Sequence, residues 1–168
     1  HPDPTVERQT GFLQPTLTDS ATLGLGFSIP YFVNLGKNKD ITFTPKVYSK
    51  DRPLFLGEYR HVTKNSSWIF DSSYTQGYKN PQGNLGDGSR NHFFLKSKID
   101  LNVDLFDESN LFINIERVSN DTYLKVHKIN TELTNYGNST LNNELKLNLV
   151  RNNTSLDIYA NVFEDLSK

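Results

Sequence analysis

From residue 22 to residue 33 the chain reads TLGLGFSIPYFV, and apolar residues take every second place. Leu23, Leu25, Phe27, Ile29, Tyr31 and Val33 fall on one side of an extended chain; Thr22, Gly24, Gly26, Ser28, Pro30 and Phe32 fall on the other. A period of two marks a strand with one apolar face. The same period recurs to the end of the chain. Ile41, Phe43 and Val47 alternate with Thr42, Thr44 and Lys46; Leu95 and Ile99 oppose Lys96, Lys98 and Asp100. Ile113 and Ile115 oppose Asn114 and Glu116; Leu145, Leu147 and Leu149 oppose Glu144, Lys146 and Asn148. No stretch sustains a 3.6-residue period. The best helix candidate, 122–133, is rich in β-branched residues and has no clear cap. The expectation is an all-β, antiparallel up-and-down meander of roughly nine strands.

Most of these strands run to about 8–12 residues, beyond the usual ~5–6. Ten residues reach about 33 Å, and a ~45° tilt brings that close to the ~25 Å apolar band of an outer-membrane barrel. The expected connections are 18–20, 34–39, 50–52, 63–65, 76–90, 103–108, 119–139 and 151–153. The two long ones, 76–90 and 119–139, are both odd in order and so lie at one end of a meander. Outer-membrane barrels show that asymmetry of long loops and short turns.

Composition narrows the function classes. Eighteen basic and nineteen acidic side chains nearly balance, so the basic excess of a nucleic-acid binder is missing. With no cysteine, disulfides and thiolate metal sites are out of reach. No apolar run approaches the ~18 residues of a membrane helix, a test that strands of a barrel escape. The chain opens without methionine or a signal sequence, and is read as a piece of something longer or a processed product.

Nothing in the residues points to catalysis or to a cofactor. His1, His61, His92 and His127 stand at no metal-ligand spacing. NPQGNLGDGSRN, 80–91, matches neither a calcium loop nor a phosphate loop and reads as a flexible connection. Tyr31, Phe32, Trp68, Tyr74, Phe93, Phe94 and Phe106 lie near expected strand ends, where an interfacial aromatic girdle would sit.

Four blocks carry a resemblance: TGFLQP (10–15), IPYFVNLGKNKDITFTPKVYSK (29–50), GEYRHVTKNSS (57–67) and ERVSNDTYL (116–124). In order and spacing they resemble the opening barrel strands of the LptD family, lipopolysaccharide-assembly outer-membrane proteins also called organic solvent tolerance proteins. HPDPTVERQ, 1–9, looks like the family's junction from its periplasmic β-jellyroll, and 10–168 like the first strands of the barrel. The resemblance implies a segment of a transmembrane barrel of about 26 strands. It also implies lipopolysaccharide transport into the outer leaflet of a Gram-negative outer membrane. The partners it implies are lipopolysaccharide itself, an LptE-type plug lipoprotein in the lumen, and a periplasmic LptA-type bridge reached through a domain outside this chain.

The same resemblance gives the glycines and prolines a role. The family's lipid is thought to leave through a seam between its first and last strands, and Pro15 and Pro30 match its prolines there. Proline has no N–H to give to a ladder, and glycine loosens a strand, so Pro15, Pro30, Gly24 and Gly26 are the candidate lateral gate. Pro45 is not counted among them. In that reading Leu25, Phe27, Ile29, Leu95, Ile113 and Leu147 face lipid. Thr42, Thr44, Lys46, Lys96, Lys98, Asp100 and Glu144 face the lumen, where lysines would meet saccharide phosphates or carboxylates of the plug. The rival is a soluble secreted β-sandwich, an adhesin or carbohydrate-binding module, which packs its apolar faces against each other in two layers.

Overall fold

A computed structural model describes residues 8–79 and 85–167 of the chain. Residues 1–7 of the expected junction, and 80–84 of the glycine-rich stretch, lie outside the described residues. The strands are β1 (Gly11–Phe12), β2 (Thr16–Ser20), β3 (Gly24–Ser28), β4 (Tyr31–Gly36), β5 (Lys39–Tyr48), β6 (Leu54–Val62), β7 (Ser66–Lys79), β8 (Leu85–Asp100), β9 (Glu108–Val118), β10 (Thr140–Arg151) and β11 (Thr154–Asp165). One short helix, α1 (Tyr123–His127), lies between β9 and β10. All strands belong to one antiparallel sheet in which chain neighbours pair; β2 runs beside β3, and β3 and β4 both run beside β5. The sheet is open, and is consistent with a segment of a barrel.

The expected nine strands become eleven because two are interrupted. Ser28 pairs with Lys46 and Tyr31 with Phe43, which is one continuous register. β3 and β4 are therefore a single line of chain broken at Ile29 and Pro30. β1 and β2 differ in kind: Phe12 pairs with Tyr31, yet Thr16 pairs with Ser28, so the register slips by one residue. Gln14 and Pro15 together stand opposite Ile29, which makes a β-bulge. The slip explains why Phe12 and Leu17, an odd number of residues apart, lie on the same face.

Turns follow local chemistry. Asn152 has φ 51°, as a two-residue hairpin turn requires, and the Thr63 hydroxyl accepts the Ser66 N–H at 2.9 Å. The glycine-rich stretch departs from expectation. β7 runs on to Lys79 and β8 begins at Leu85, with Gln76 paired to Ser89 across the ladder. Cross-strand pairing overrides the local preference of glycine. Of the two long connections expected at one end, 119–139 alone is found among the described residues, so the loop-parity argument rests on that one segment.

The two faces of the sheet differ. One, the bare face, carries Leu17, Leu25, Phe27, Ile41, Phe43, Val47, Phe55, Leu145, Ile158 and Val162, all exposed. Phe43 stacks on Phe55 at 6.0 Å and Phe70 meets Phe93 edge-on at 4.9 Å along it. The other face carries the polar partners and is covered over β6–β8 by segment 119–139. There lies the core: Leu54, Leu56, Phe94, Tyr123, Leu124, Ile129, Leu141 and Leu166. Phe94 belongs to that core, so it cannot join an outward aromatic girdle. Among the described residues there is no second sheet, which a sandwich needs.

Candidate functional site

The first feature is a level of prolines across three adjacent strands. The Leu13 N–H donates to the Pro30 carbonyl at 2.8 Å, and Pro30 has no N–H to return. On the other side of the same strand, the Ser49 N–H donates to the Leu25 carbonyl at 2.8 Å. Counting by twos along an antiparallel ladder, Ile29 and Pro45 are the next-but-one bonded pair, and Pro45 likewise has no donor. With Pro15 in the bulge opposite Ile29, the line β3–β4 is thinned on both flanks at one height. Pro45, set aside on sequence grounds, stands at that same height, because register alone brings residues 15, 30 and 45 together.

Gly24 and Gly26 are explained by space. Gly24 has φ +75°, and a Cβ there would lie 2.2 Å from the Ser49 hydroxyl. A Cβ on Gly26 would lie 2.5 Å from Thr18 Oγ1 and 3.1 Å from the Tyr48 ring. Gly26 is the floor on which Tyr48 rests.

The expected polar residues share the covered face. Thr42 is buried, level with Glu58, Asp71 and Phe94. Thr44 and Lys46 follow at alternate places on β5 toward Tyr48. Lys96, Lys98 and Glu144 line an open groove of about 690 Å³ with Phe112, Asn114 and Lys146; Lys98 lies over the Phe112 ring. Asp100 is apart from the groove and accepts the Asn102 N–H at 3.1 Å, closing the turn after β8. Of the apolar set, Leu25, Phe27, Leu95, Ile113 and Leu147 lie on the bare face by register. Ile29 lies in the break between β3 and β4.

Sequence reasoning missed the most densely bonded part of the covered face. Segment 119–139, expected to be a polar loop, folds back over the sheet and buries Tyr123, Leu124, His127 and Ile129. The signal was present as five large apolar residues, Tyr123, Leu124, Val126, Ile129 and Leu133, in a stretch without strand alternation. Beneath it runs a buried chain of polar groups. Tyr123 Oη lies 2.7 Å from Ser73 Oγ, Ser73 Oγ 2.5 Å from His92 Nδ1, and His92 Nε2 3.0 Å from Asp71 Oδ1. The Thr131 hydroxyl donates to the other Asp71 oxygen. One donor order satisfies all of them: Tyr123 to Ser73, Ser73 to His92, and both His92 and Thr131 to Asp71. Burial holds the Tyr123 phenol up at about 12, so it keeps the proton it donates.

Serine, histidine and aspartate in that sequence of contacts match a hydrolytic relay in composition only. Ser73 is buried and its oxygen already faces Tyr123, so no substrate reaches it. The chain of groups joins a loop to β7 and β8. A second polar chain joins the loop tip to the sheet: buried Asp40 takes Arg8 at 2.7 Å and Arg60 at 2.8 Å, and Arg60 reaches Glu132 at 3.4 Å.

His127 gives this segment a pH dependence. It is buried beside Tyr48 and Tyr123, and its Nδ1 has no hydrogen-bond partner among the described residues. Burial lowers its pKa to about 4; Asp51 pulls the other way, while Arg90 and Lys46 add to the lowering. The unfolded state then takes the proton first, near ~6.5. The stabilising contribution is whole above that pH and is lost as pH falls toward 4. Unfolding midpoints measured from pH 7 to pH 4 are expected to fall, and His127→Gln to flatten the part of that slope between 6.5 and 4. An unchanged slope in the variant would show that His127 is not its source.

No family profile matches the chain. It is similar to the LPS-assembly protein LptD of Psychrobacter cryohalolentis, 36% identical over 77 residues, which is 45% of this chain and 8% of that protein. The LPS-assembly protein LptD of Pseudomonas entomophila is 39% identical over 67 residues, 40% of this chain and 7% of that protein. For the protein of the same name in Burkholderia cenocepacia the figures are 31% over 68 residues, 40% and 9%. The matched stretch thus spans less than a tenth of each relative. Over about two-fifths of its length, this chain is homologous to LPS-assembly proteins named LptD.

Proposed function

We propose that the chain forms the opening strands of a β-barrel in the outer membrane of a Gram-negative bacterium, and that the barrel takes part in lipopolysaccharide assembly. The observation that carries this reading is the bare face, apolar from Leu17 on β2 to Val162 on β11, with nothing among the described residues packed against it. In water such a face is a liability, whereas hydrocarbon covers it without further contacts. The length of the strands agrees: the 12 residues of β10 span about 28 Å when tilted by ~45°. The similarity to LptD proteins supplies the cargo. On this reading Thr42, Thr44, Lys46, Lys96, Lys98, Asp100 and Glu144 line the lumen, and the partners are lipopolysaccharide, an LptE-type plug and an LptA-type bridge. The task is transport, with no bond made or broken.

The proline level is the lateral gate in this reading, with Pro45 added to Pro15 and Pro30. Each missing ladder bond forfeits ~0.5–1.5 kcal/mol, so two at one height, at Pro30 and Pro45, with the bulge at Pro15 beside them, weaken the line β3–β4 near the chain's first edge. Replacing Pro15 and Pro30 together with valine in the full-length protein is expected to slow delivery of newly made lipopolysaccharide to the cell surface several-fold, with normal barrel abundance. Delivery at the unaltered rate would remove the gate from the account. Loss of the protein from the outer-membrane fraction would instead report a folding role for the prolines.

A further inference from the structure

Segment 119–139 touches the sheet at both ends of its span. At one end Tyr123 and Thr131 are tied to Ser73 and Asp71 on β7. At the other it reaches the first hairpin. Lys128 Nζ donates to the Asp19 carbonyl at 3.4 Å, and Val126, His127 and Lys128 close a small cleft with Thr18, Ser20 and Leu23. A line of rings connects the two ends. Gly26 on β3 supports Tyr48; Tyr48 faces His127 at 5.8 Å; His127 meets Tyr123 edge-on at 5.0 Å. The hairpin β2–β3 is otherwise held from one side. Its outer side is an unpaired edge among the described residues; its inner side is joined to β5 at Gly26, Phe27 and Ser28, and to the turn after β5 through the Ser49 and Lys50 N–H groups, which donate to the Leu25 and Leu23 carbonyls.

We propose that segment 119–139 is a brace: it clamps the hairpin β2–β3 to the wall strands β7 and β8 from the covered face, through Lys128, His127 and Tyr48. Gly26 is the positioning residue on the hairpin side, because a Cβ there crowds both Thr18 Oγ1 and the Tyr48 ring. Release of the brace frees the hairpin as one unit, with the proline level as its hinge. The link to lipid passage rests on the barrel reading above; the brace itself does not.

Amide hydrogen exchange on the full-length protein in detergent micelles tests it, since exchange reads local opening directly. Lys128→Met changes an exposed side chain and leaves the core in place. Together with His127→Gln, it is expected to speed exchange of the amides of 17–27 by about tenfold, the effect of losing one buried contact and one hydrogen bond. The amides of β10–β11 should keep their rates. Coupling is reciprocal, so Gly26→Ala should speed exchange in 123–129 by a similar factor. Unchanged rates in 17–27, or an equal rise in β10–β11, would overturn the brace. Because neither readout involves lipopolysaccharide, the brace and the transport reading stand or fall separately.

Discussion

Tyr123→Ala lowers the stability of the folded protein by about 3–5 kcal/mol, the range for a large aromatic removed from a packed core. Tyr123 is fully buried, with Leu54, Leu56, Phe94 and Leu124 in one cluster. Its ring holds segment 119–139 to the sheet, and its hydroxyl heads the polar chain to Asp71. The two parts separate by substitution. Tyr123→Phe keeps the ring and loses only the bond to Ser73, so it is expected to cost about 0.5–1.5 kcal/mol. Denaturant unfolding of the full-length protein in detergent measures both. Equal, small losses from the two variants would mean that the segment sits on the sheet without contributing to its stability.

The second large effect concerns the bare face. Ile113 stands in the middle of β9, paired with Ser97 and Leu145. Ile113→Lys is expected to reduce the free energy of folding into lipid vesicles by about 2–4 kcal/mol, the cost of a lysine facing the middle of a bilayer. Asn161→Lys is the control. It lies on the opposite face, across from Glu144, and should change stability by no more than about 0.5 kcal/mol. Similar small effects at both positions would mean that both faces meet water, and the barrel reading would fail with them.

How much of this was legible in the sequence depends on the range of the interaction involved. The facing of Leu25, Leu95, Ile113, Thr42, Lys96 and Glu144 follows from alternation, a property of each strand's own backbone. Alternation failed where partner strands intervened. The bulge at Gln14–Pro15 exists because β4 pairs in one register and β3 in another. The strand through Gln76 and Ser89 exists because the two lines pair despite their glycines. The meeting of Pro15, Pro30 and Pro45 is invisible along the chain, where they stand far apart.

Segment 119–139 marks the far limit. Its apolar residues Tyr123, Val126, Ile129 and Leu133 stand at helical spacing, yet the helix that forms there, Tyr123–His127, is too short for that spacing to say which part of the molecule it faces. Their burial was settled by what the sheet offers, a slot above Leu54, Leu56 and Phe94 with Ser73 and Asp71 as hydrogen-bonding partners. Strand content and the split between a greasy and a polar side were thus written into neighbouring residues, since backbone geometry flips each successive side chain. The filling of the polar side, the height of the prolines and the reach of Lys128 to Asp19 came only with the assembled sheet. They depend on contacts between residues well separated along the chain, and local sequence holds no record of those.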